Sequence, residues 1–239
     1  MCKFFFVFIF QLSLCFQIMA SPVFEKTAEQ TPDLVKSKEK RFLLITGCGR
    51  SGTTYMTEFL RLSGLDVRHE KMGADGSVSW IMGAETDWTP VGPLLKDYEF
   101  EHIFHQVRHP LKVIQSYYNS HPGVTWEWIC TIIPEISMKD SVITRCAKYW
   151  YYWNLMIEEK AEWTYRIEDF SEIYPEMADR LGLVFDSETL TAVPTDANTR
   201  VKEEHTAITW KFLKENVDRK VYFQVRSLAK KYGYLNTKE

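Results

Sequence analysis

Several features that mark special classes of protein are missing from this 239-residue sequence. Its 11 glycines and 9 prolines follow no regular spacing, which excludes collagen-like and low-complexity chains. The 29 Lys and Arg nearly balance the 32 Asp and Glu, so no positive excess indicates general nucleic-acid binding. No Cys and His have zinc-site spacing, and no Asn-x-Ser/Thr sequon occurs. The remaining composition, 45% hydrophobic and 15% aromatic, is that of an ordinary globular protein.

The first twenty residues differ from the rest of the chain. Lys3 precedes an apolar run that ends at Ala20, just before Pro22, which is typical of a secretory signal peptide. The run is short for a membrane span, although an uncleaved signal anchor and a true start at Met19 are alternatives. We predict a signal peptide (or short anchor) at 1–20, a flexible lead-in at 21–40 and one domain at 41–239. The expected location is the secretory pathway, either the Golgi lumen or outside the cell.

Cleavage after Ala20 would leave three of the five cysteines in the mature chain. In an oxidising compartment Cys130 and Cys146 could form a disulfide. The alternative is that both are buried thiols on or near helices.

A phosphate-binding loop is the strongest local signal. Residues 41–46 form an apolar run that predicts a buried strand, and residues 53–63 have helix-spaced apolar positions. Between them lies the segment 47–54, GCGRSGTT. A strand, a glycine-rich turn and a helix together present backbone N–H groups to a phosphate. The candidate ligands are the following residues of this segment: Gly47, Gly49, Arg50, Ser51, Gly52, Thr53 and Thr54.

The loop departs from the Walker A pattern at one decisive position. Gly47 and Gly52 match its glycines and Thr54 its hydroxyl, but Thr53 stands where the pattern has Lys. An ATPase or GTPase would lack the group that reaches the β- and γ-phosphates.

A second strand, at 101–107, ends in Arg108 rather than in the Asp of a Walker B strand. Pro110 then suits the first turn of a helix, and Ser116 lies on that helix. Arg108 and Ser116 could converge on one phosphate, because a guanidinium contacts two oxygens and a hydroxyl a third.

These two regions together resemble the sulfotransferase family, whose members use 3′-phosphoadenosine 5′-phosphosulfate (PAPS). The resemblance implies that 47–54 holds the 5′-phosphosulfate and that Arg108 and Ser116 hold the 3′-phosphate. It implies that Arg50 supplies a cation beside the transferring sulfuryl group. It also implies an α/β fold: a three-layer P-loop-like domain with a central parallel sheet flanked by helices. No metal is expected.

The resemblance further implies a general base shortly after the loop helix. In luminal and carbohydrate-modifying members this base is a Glu, which favours Glu70, with His69 as the second candidate. The alternative is that both are surface residues at a strand end. We expect residues 71–80 to form a loop, and Trp80 and Trp88 to line the acceptor site or to cover the sheet edge.

The C-terminal half carries fewer signals. The pattern predicts a long helix at 141–160, a strand at 163–167 and a loop at 182–186. A late basic segment closes over the 3′-phosphate in the family, which makes Arg200 and Lys202 candidates, although the usual Arg-Lys-Gly pattern is absent.

The sequence therefore predicts a sulfotransferase that moves a sulfuryl group from PAPS to a hydroxyl or amine, with a carbohydrate as the expected acceptor. The partners are this acceptor and, through an uncleaved N-terminus only, a membrane; no nucleic acid is expected. A kinase-like P-loop phosphotransferase and a non-catalytic nucleotide-binding protein are the alternatives.

Overall fold

A computed structural model describes residues 37–90, 92–120, 123–193 and 206–235 of the chain. They belong to one compact unit that begins at Ser37. The predicted signal peptide and most of the lead-in lie outside the described residues, as do Arg200 and Lys202.

The centre of the unit is a five-stranded parallel sheet in the order β2-β3-β1-β4-β5. The strands are β1 (Glu39–Gly47), β2 (Val67–His69), β3 (Gly76–Val78), β4 (Tyr98–Val107) and β5 (Trp163–Arg166). The α/β prediction is confirmed. The chain places β2 and β3 on one side of β1 and then crosses to β4 and β5 on the other side. The strand order therefore reverses at β1, and α/β sheets bind ligands beside the carboxyl end of such a strand.

Eight helices accompany the sheet in the described part of the chain. They are α1 (Thr53–Leu62), α2 (Pro110–Ser120), α3 (Gly123–Ile132), α4 (Val142–Glu158), α5 (Phe170–Leu181), α6 (Ser187–Ala192), α7 (Trp210–Asn216) and α8 (Arg219–Lys231). Short 3₁₀ turns occupy Ile81–Gly83, Leu95–Asp97 and Ile167–Asp169. Within these residues no helix combines the length and the apolar character needed to cross a bilayer.

The helices form layers on the two faces of the sheet, and each layer has its own core. One core joins α1 and α5 to the sheet through buried residues such as Phe59 and Phe170. The other is rich in aromatic residues and joins α2, α3, α4 and α8, with Trp150 and Trp153 fully buried on α4. This arrangement confirms the predicted three-layer architecture.

Most of the predicted elements are found within a few residues of their expected limits. The long helix at 141–160 is α4, which begins after Ser141, whose side chain caps it by accepting from Thr144 N–H. Residues 182–186 are outside helix and strand, as predicted, with Gly182 ending α5 in the left-handed conformation.

The prediction of a plain loop at 71–80 is wrong, because β3 lies within it and pairs with both β1 and β2. Three residues are too few to show strand alternation in a sequence. Gly76 is needed there, since a Cβ at this position would lie 1.8 Å from the carbonyl oxygen of Leu43.

All three cysteines in the described part of the chain are free thiols, Cys48 and Cys146 buried and Cys130 partly so. The structure thus agrees with the buried-thiol alternative rather than with a Cys130–Cys146 disulfide.

Candidate active site

The segment 47–54 connects the carboxyl end of β1 to the first turn of α1. Gly47 is opposite Gln106 in the sheet, and a Cβ on Gly47 would lie 2.1 Å from the Gln106 carbonyl oxygen. Only glycine therefore allows β1 and β4 to pair at this point. Gly52 precedes the helix with φ 97°, and the amides of the first helical turn project from the helix end. The loop has the form of a phosphate cradle.

Side chains of β4 and β5 hold the loop in place through hydrogen bonds. Gln106 Nε2 donates to the carbonyl oxygen of Ser51 at 2.8 Å, and Tyr165 Oη donates to Gln106 Oε1 at 2.8 Å. The Ser51 side chain is fully buried, and its hydroxyl has no hydrogen-bond partner among the described residues. The role of Ser51 as a phosphate ligand stays a prediction.

Three of the residues predicted to bind the donor, Arg50, Arg108 and Ser116, are linked directly. Arg50 Nε donates to Ser116 Oγ at 2.8 Å, and Arg108 Nη1 donates to the Arg50 carbonyl oxygen at 2.9 Å. The Trp150 indole N–H in turn donates to the Arg108 carbonyl oxygen at 3.1 Å. The structure thus brings the loop, the end of β4 and α2 together around two guanidinium groups.

Backbone strain coincides with two of the three residues predicted to act in catalysis. Among the described non-glycine residues, Arg50 (φ 70°) and Glu70 (φ 53°) are the two with positive φ. Such conformations cost free energy and persist where surrounding contacts hold them, typically at functional sites. For Arg50 that contact is the hydrogen bond from Arg108 to its carbonyl oxygen.

Glu70 follows β2 directly, and its side chain, 16% exposed, lies against the residues after β3. Ser79 Oγ donates to Glu70 Oε2 at 2.6 Å, and Trp80 N–H donates to Oε1 at 3.2 Å. Burial raises the pKa of Glu70 to about 7, against the lowering effect of these donors. A carboxylate with a pKa near neutrality is suited to proton transfer.

His69 connects Glu70 to the loop. Its Nε2 lies 3.0 Å from Thr53 Oγ1, 3.4 Å from Thr54 Oγ1 and 3.6 Å from Glu70 Oε1. Burial lowers the pKa of His69, which favours the neutral form of the ring. Thr53, at the Walker lysine position, thus contacts the second candidate base.

The two tryptophans predicted near the acceptor have different surroundings. Trp80 is half-buried, with its ring packed against Trp128 and Trp153, and its backbone N–H contacts Glu70. Trp88 is 60% exposed, and its carbonyl oxygen accepts from the Trp128 indole N–H at 2.9 Å. Trp80 therefore lies at the site. Trp88 is close to it in sequence but is largely exposed to solvent.

Sequence reasoning missed three residues that shape this site: Ser79, Gln106 and Tyr149. Ser79 follows a strand too short to recognise, and Gln106 lies at the buried end of β4. Tyr149, whose hydroxyl accepts from Gly49 N–H, lies in an aromatic-rich helix. Only Gln106 carries a signal, because a polar residue in a buried strand requires a hydrogen-bond partner. Within the described residues no group of three or more His, Cys, Asp or Glu is arranged to hold a metal ion.

No protein-family model and no curated protein matches the sequence. Solved structures do match, among them three sulfotransferases. The sulfotransferase domain from the curacin biosynthetic pathway is 13% identical over 83% of this chain and 99% of its own, with a TM-score of 0.47. The sulfotransferase domain from the olefin synthase of Synechococcus PCC 7002 is 14% identical over 87% and 98%, with a TM-score of 0.49. Mouse sulfotransferase SULT7A1, complexed with PAP, is 14% identical over 83% and 80%, with a TM-score of 0.41.

These similarities are distant. At such identities and TM-scores they assign no activity, so the function must follow from the residues of the site itself.

Proposed function

We propose that this protein is a sulfotransferase that moves a sulfuryl group from PAPS to a hydroxyl acceptor, with Glu70 as general base. One observation carries the proposal. The strained Arg50 of the phosphate loop contacts both Arg108 and Ser116. At the end of the same loop His69 contacts Thr53, and His69 Nε2 lies 3.6 Å from Glu70 Oε1.

The donor would bind to the phosphate loop and to the guanidinium groups of Arg50 and Arg108. Amides at the start of α1 suit the 5′-phosphosulfate, because the positive end of a helix dipole stabilises an anion. Arg108 and Ser116 suit the 3′-phosphate, by a guanidinium fork and a hydroxyl donor. Arg50 contacts both Arg108 and Ser116, and its guanidinium group can neutralise charge on the leaving phosphate.

The chemical step needs one base and no redox partner. The acceptor oxygen attacks sulfur, the bond from sulfur to the bridging phosphate oxygen breaks, and 3′-phosphoadenosine 5′-phosphate (PAP) leaves with the electron pair. The acceptor proton passes to Glu70, whose pKa of about 7 favours this role near neutral pH. Ser79 and Trp80 hold the carboxylate in place as it gains and loses the proton.

We further propose a carbohydrate acceptor and a location in the secretory pathway. Trp80 supports a ring-shaped acceptor, because its backbone N–H contacts Glu70 and its side chain is only half-buried. An aromatic face packs well against the apolar face of a sugar. The location depends on the sequence pattern of residues 1–20 alone.

A thermal-shift comparison tests the donor. A ligand at 100 times its dissociation constant stabilises the folded state by about 2.7 kcal/mol, which shifts the Tm by about 5 °C for a domain of this size. We expect PAP to produce such a shift, and ATP with magnesium to produce none. A shift with ATP and magnesium alone would instead establish the P-loop phosphotransferase. If PAP binds but PAPS yields no transfer to any of a panel of methyl glycosides and phenols, the protein is a non-catalytic nucleotide binder.

A further inference from the structure

Gly49 of the phosphate loop contacts a residue that is not itself a proposed phosphate ligand. Gly49 N–H donates to Tyr149 Oη, on α4, at 2.8 Å. Tyr117 Oη donates to the same Tyr149 oxygen at 3.2 Å. Tyr117 directly follows Ser116 on α2. Two tyrosine hydroxyls therefore connect the loop that would hold the 5′ group to the helix that would hold the 3′-phosphate.

The space around Gly49 is closed on the side of these tyrosines. A Cβ at this position would lie 2.2 Å from Tyr117 Oη, 3.0 Å from Tyr149 Oη and 3.2 Å from Trp80 Cδ2. The loop backbone thus packs directly against three aromatic side chains and cannot move toward α2 or α4.

The Tyr149 hydroxyl oxygen accepts two hydrogen bonds. Gly49 N–H and Tyr117 Oη use its two lone pairs. Both tyrosine rings are almost completely buried. Replacement of Tyr149 by Phe would leave the Gly49 N–H without a partner in a dry environment, where such a group is costly.

We propose that Tyr149, held by Tyr117, is a positioning residue that keeps the 5′- and 3′-phosphate halves of the nucleotide site in fixed register. The inference rests on the proposed function, because it concerns a nucleotide with phosphates at both positions. A fixed register lets such a ligand bind both halves without further ordering of the protein. A nucleotide that carries only a 5′-phosphate binds one half of the site, so the fixed register contributes much less to its affinity.

The test compares two nucleotides in one variant. Titration calorimetry would measure the Kd of PAP and of 5′-AMP for the wild type and for Tyr149→Phe. We expect the affinity for PAP to fall about tenfold and that for AMP about twofold, so that the preference for PAP falls about fivefold. Tyr151→Phe is the matched control, since Tyr151 is on the same helix and packs on Tyr152. It should change neither affinity.

The affinity ratio separates positioning from a merely structural role. A variant that is only less stable would have a lower Tm and an unchanged preference for PAP, and this result would overturn the proposal. If Tyr149→Phe does not fold, Tyr117→Phe takes its place, with a smaller loss of preference because Gly49 keeps its acceptor; an unchanged preference again counts against the proposal. A wild type that binds no PAP would reject the proposed function itself.

Discussion

Ser79 donates its hydroxyl hydrogen to Glu70 Oε2 across 2.6 Å, and the two residues directly follow neighbouring strands of the sheet. The bond fixes a buried carboxylate whose pKa is raised to about 7 by burial. The base proposed from a resemblance is therefore held in place by a residue that the sequence did not indicate.

Glu70→Gln tests the base. We expect the rate of sulfuryl transfer to fall by about 10²–10⁴-fold, because the amide cannot accept the proton, while PAP affinity stays unchanged. In the wild type kcat/KM should rise as the pH passes through about 7, as Glu70 loses its proton. Steady-state kinetics over pH 5.5–9 would check both statements.

His69→Gln is the matched comparison, since glutamine can still contact the Thr53 hydroxyl. We expect it to lower the transfer rate less than tenfold. If this variant loses transfer and Glu70→Gln keeps it, His69 is the base.

Ser79→Ala removes a donor that favours the ionised form of Glu70. The pKa of Glu70 should rise, so the rising limb of kcat/KM should move up by about one pH unit. Ser77→Ala is the control, because Ser77 is equally buried nearby but donates to the Arg68 carbonyl oxygen. An unmoved limb in Ser79→Ala would show that Glu70 does not control the rate.

Glu70 also links stability to pH. Its pKa is about 7 in the folded state and 4.5 unperturbed, so the folded state binds the extra proton. The stability that Glu70 contributes is complete below about pH 4.5 and is lost as the pH rises through about 7. Glu70→Gln has no such loss. The Tm of this variant minus that of the wild type should therefore increase between pH 5 and 8. Differential scanning fluorimetry would measure the gain, and a constant difference would contradict the raised pKa.

Ser116→Ala tests the proposed 3′-phosphate site. The change removes the hydroxyl that contacts Arg50 and would donate to the phosphate, so PAP affinity should fall about tenfold, with AMP affinity nearly unchanged. Ser120→Ala on the same helix is the control, because the Ser120 hydroxyl donates to the Tyr117 carbonyl oxygen at 3.4 Å. Equal losses for PAP and AMP would place Ser116 outside a 3′-phosphate site. Calorimetry with both nucleotides measures this.

Local sequence patterns were enough to predict much of the fold and the loop. The strand, turn and helix around 47–54 follow from a short apolar run, glycines and helix-spaced apolar residues, all of which act over neighbouring positions. The strand before Arg108 and the helix after Pro110 follow in the same way. The short β3 did not, because its three residues show no period of their own and pair with two other strands.

The sequence by itself determined which chemical groups are present: a glycine-rich loop that contains Arg50 and lacks the Walker lysine, Arg108 at the end of a predicted strand, and a His-Glu pair after the first helix. Only the tertiary structure decided what these groups contact. The link between Arg50 and Ser116, the burial that raises the pKa of Glu70, and the tyrosine support of Gly49 each join residues from different elements. Such contacts depend on how helices and strands pack, because a hydrogen bond or a desolvated carboxylate requires partners that are remote in sequence.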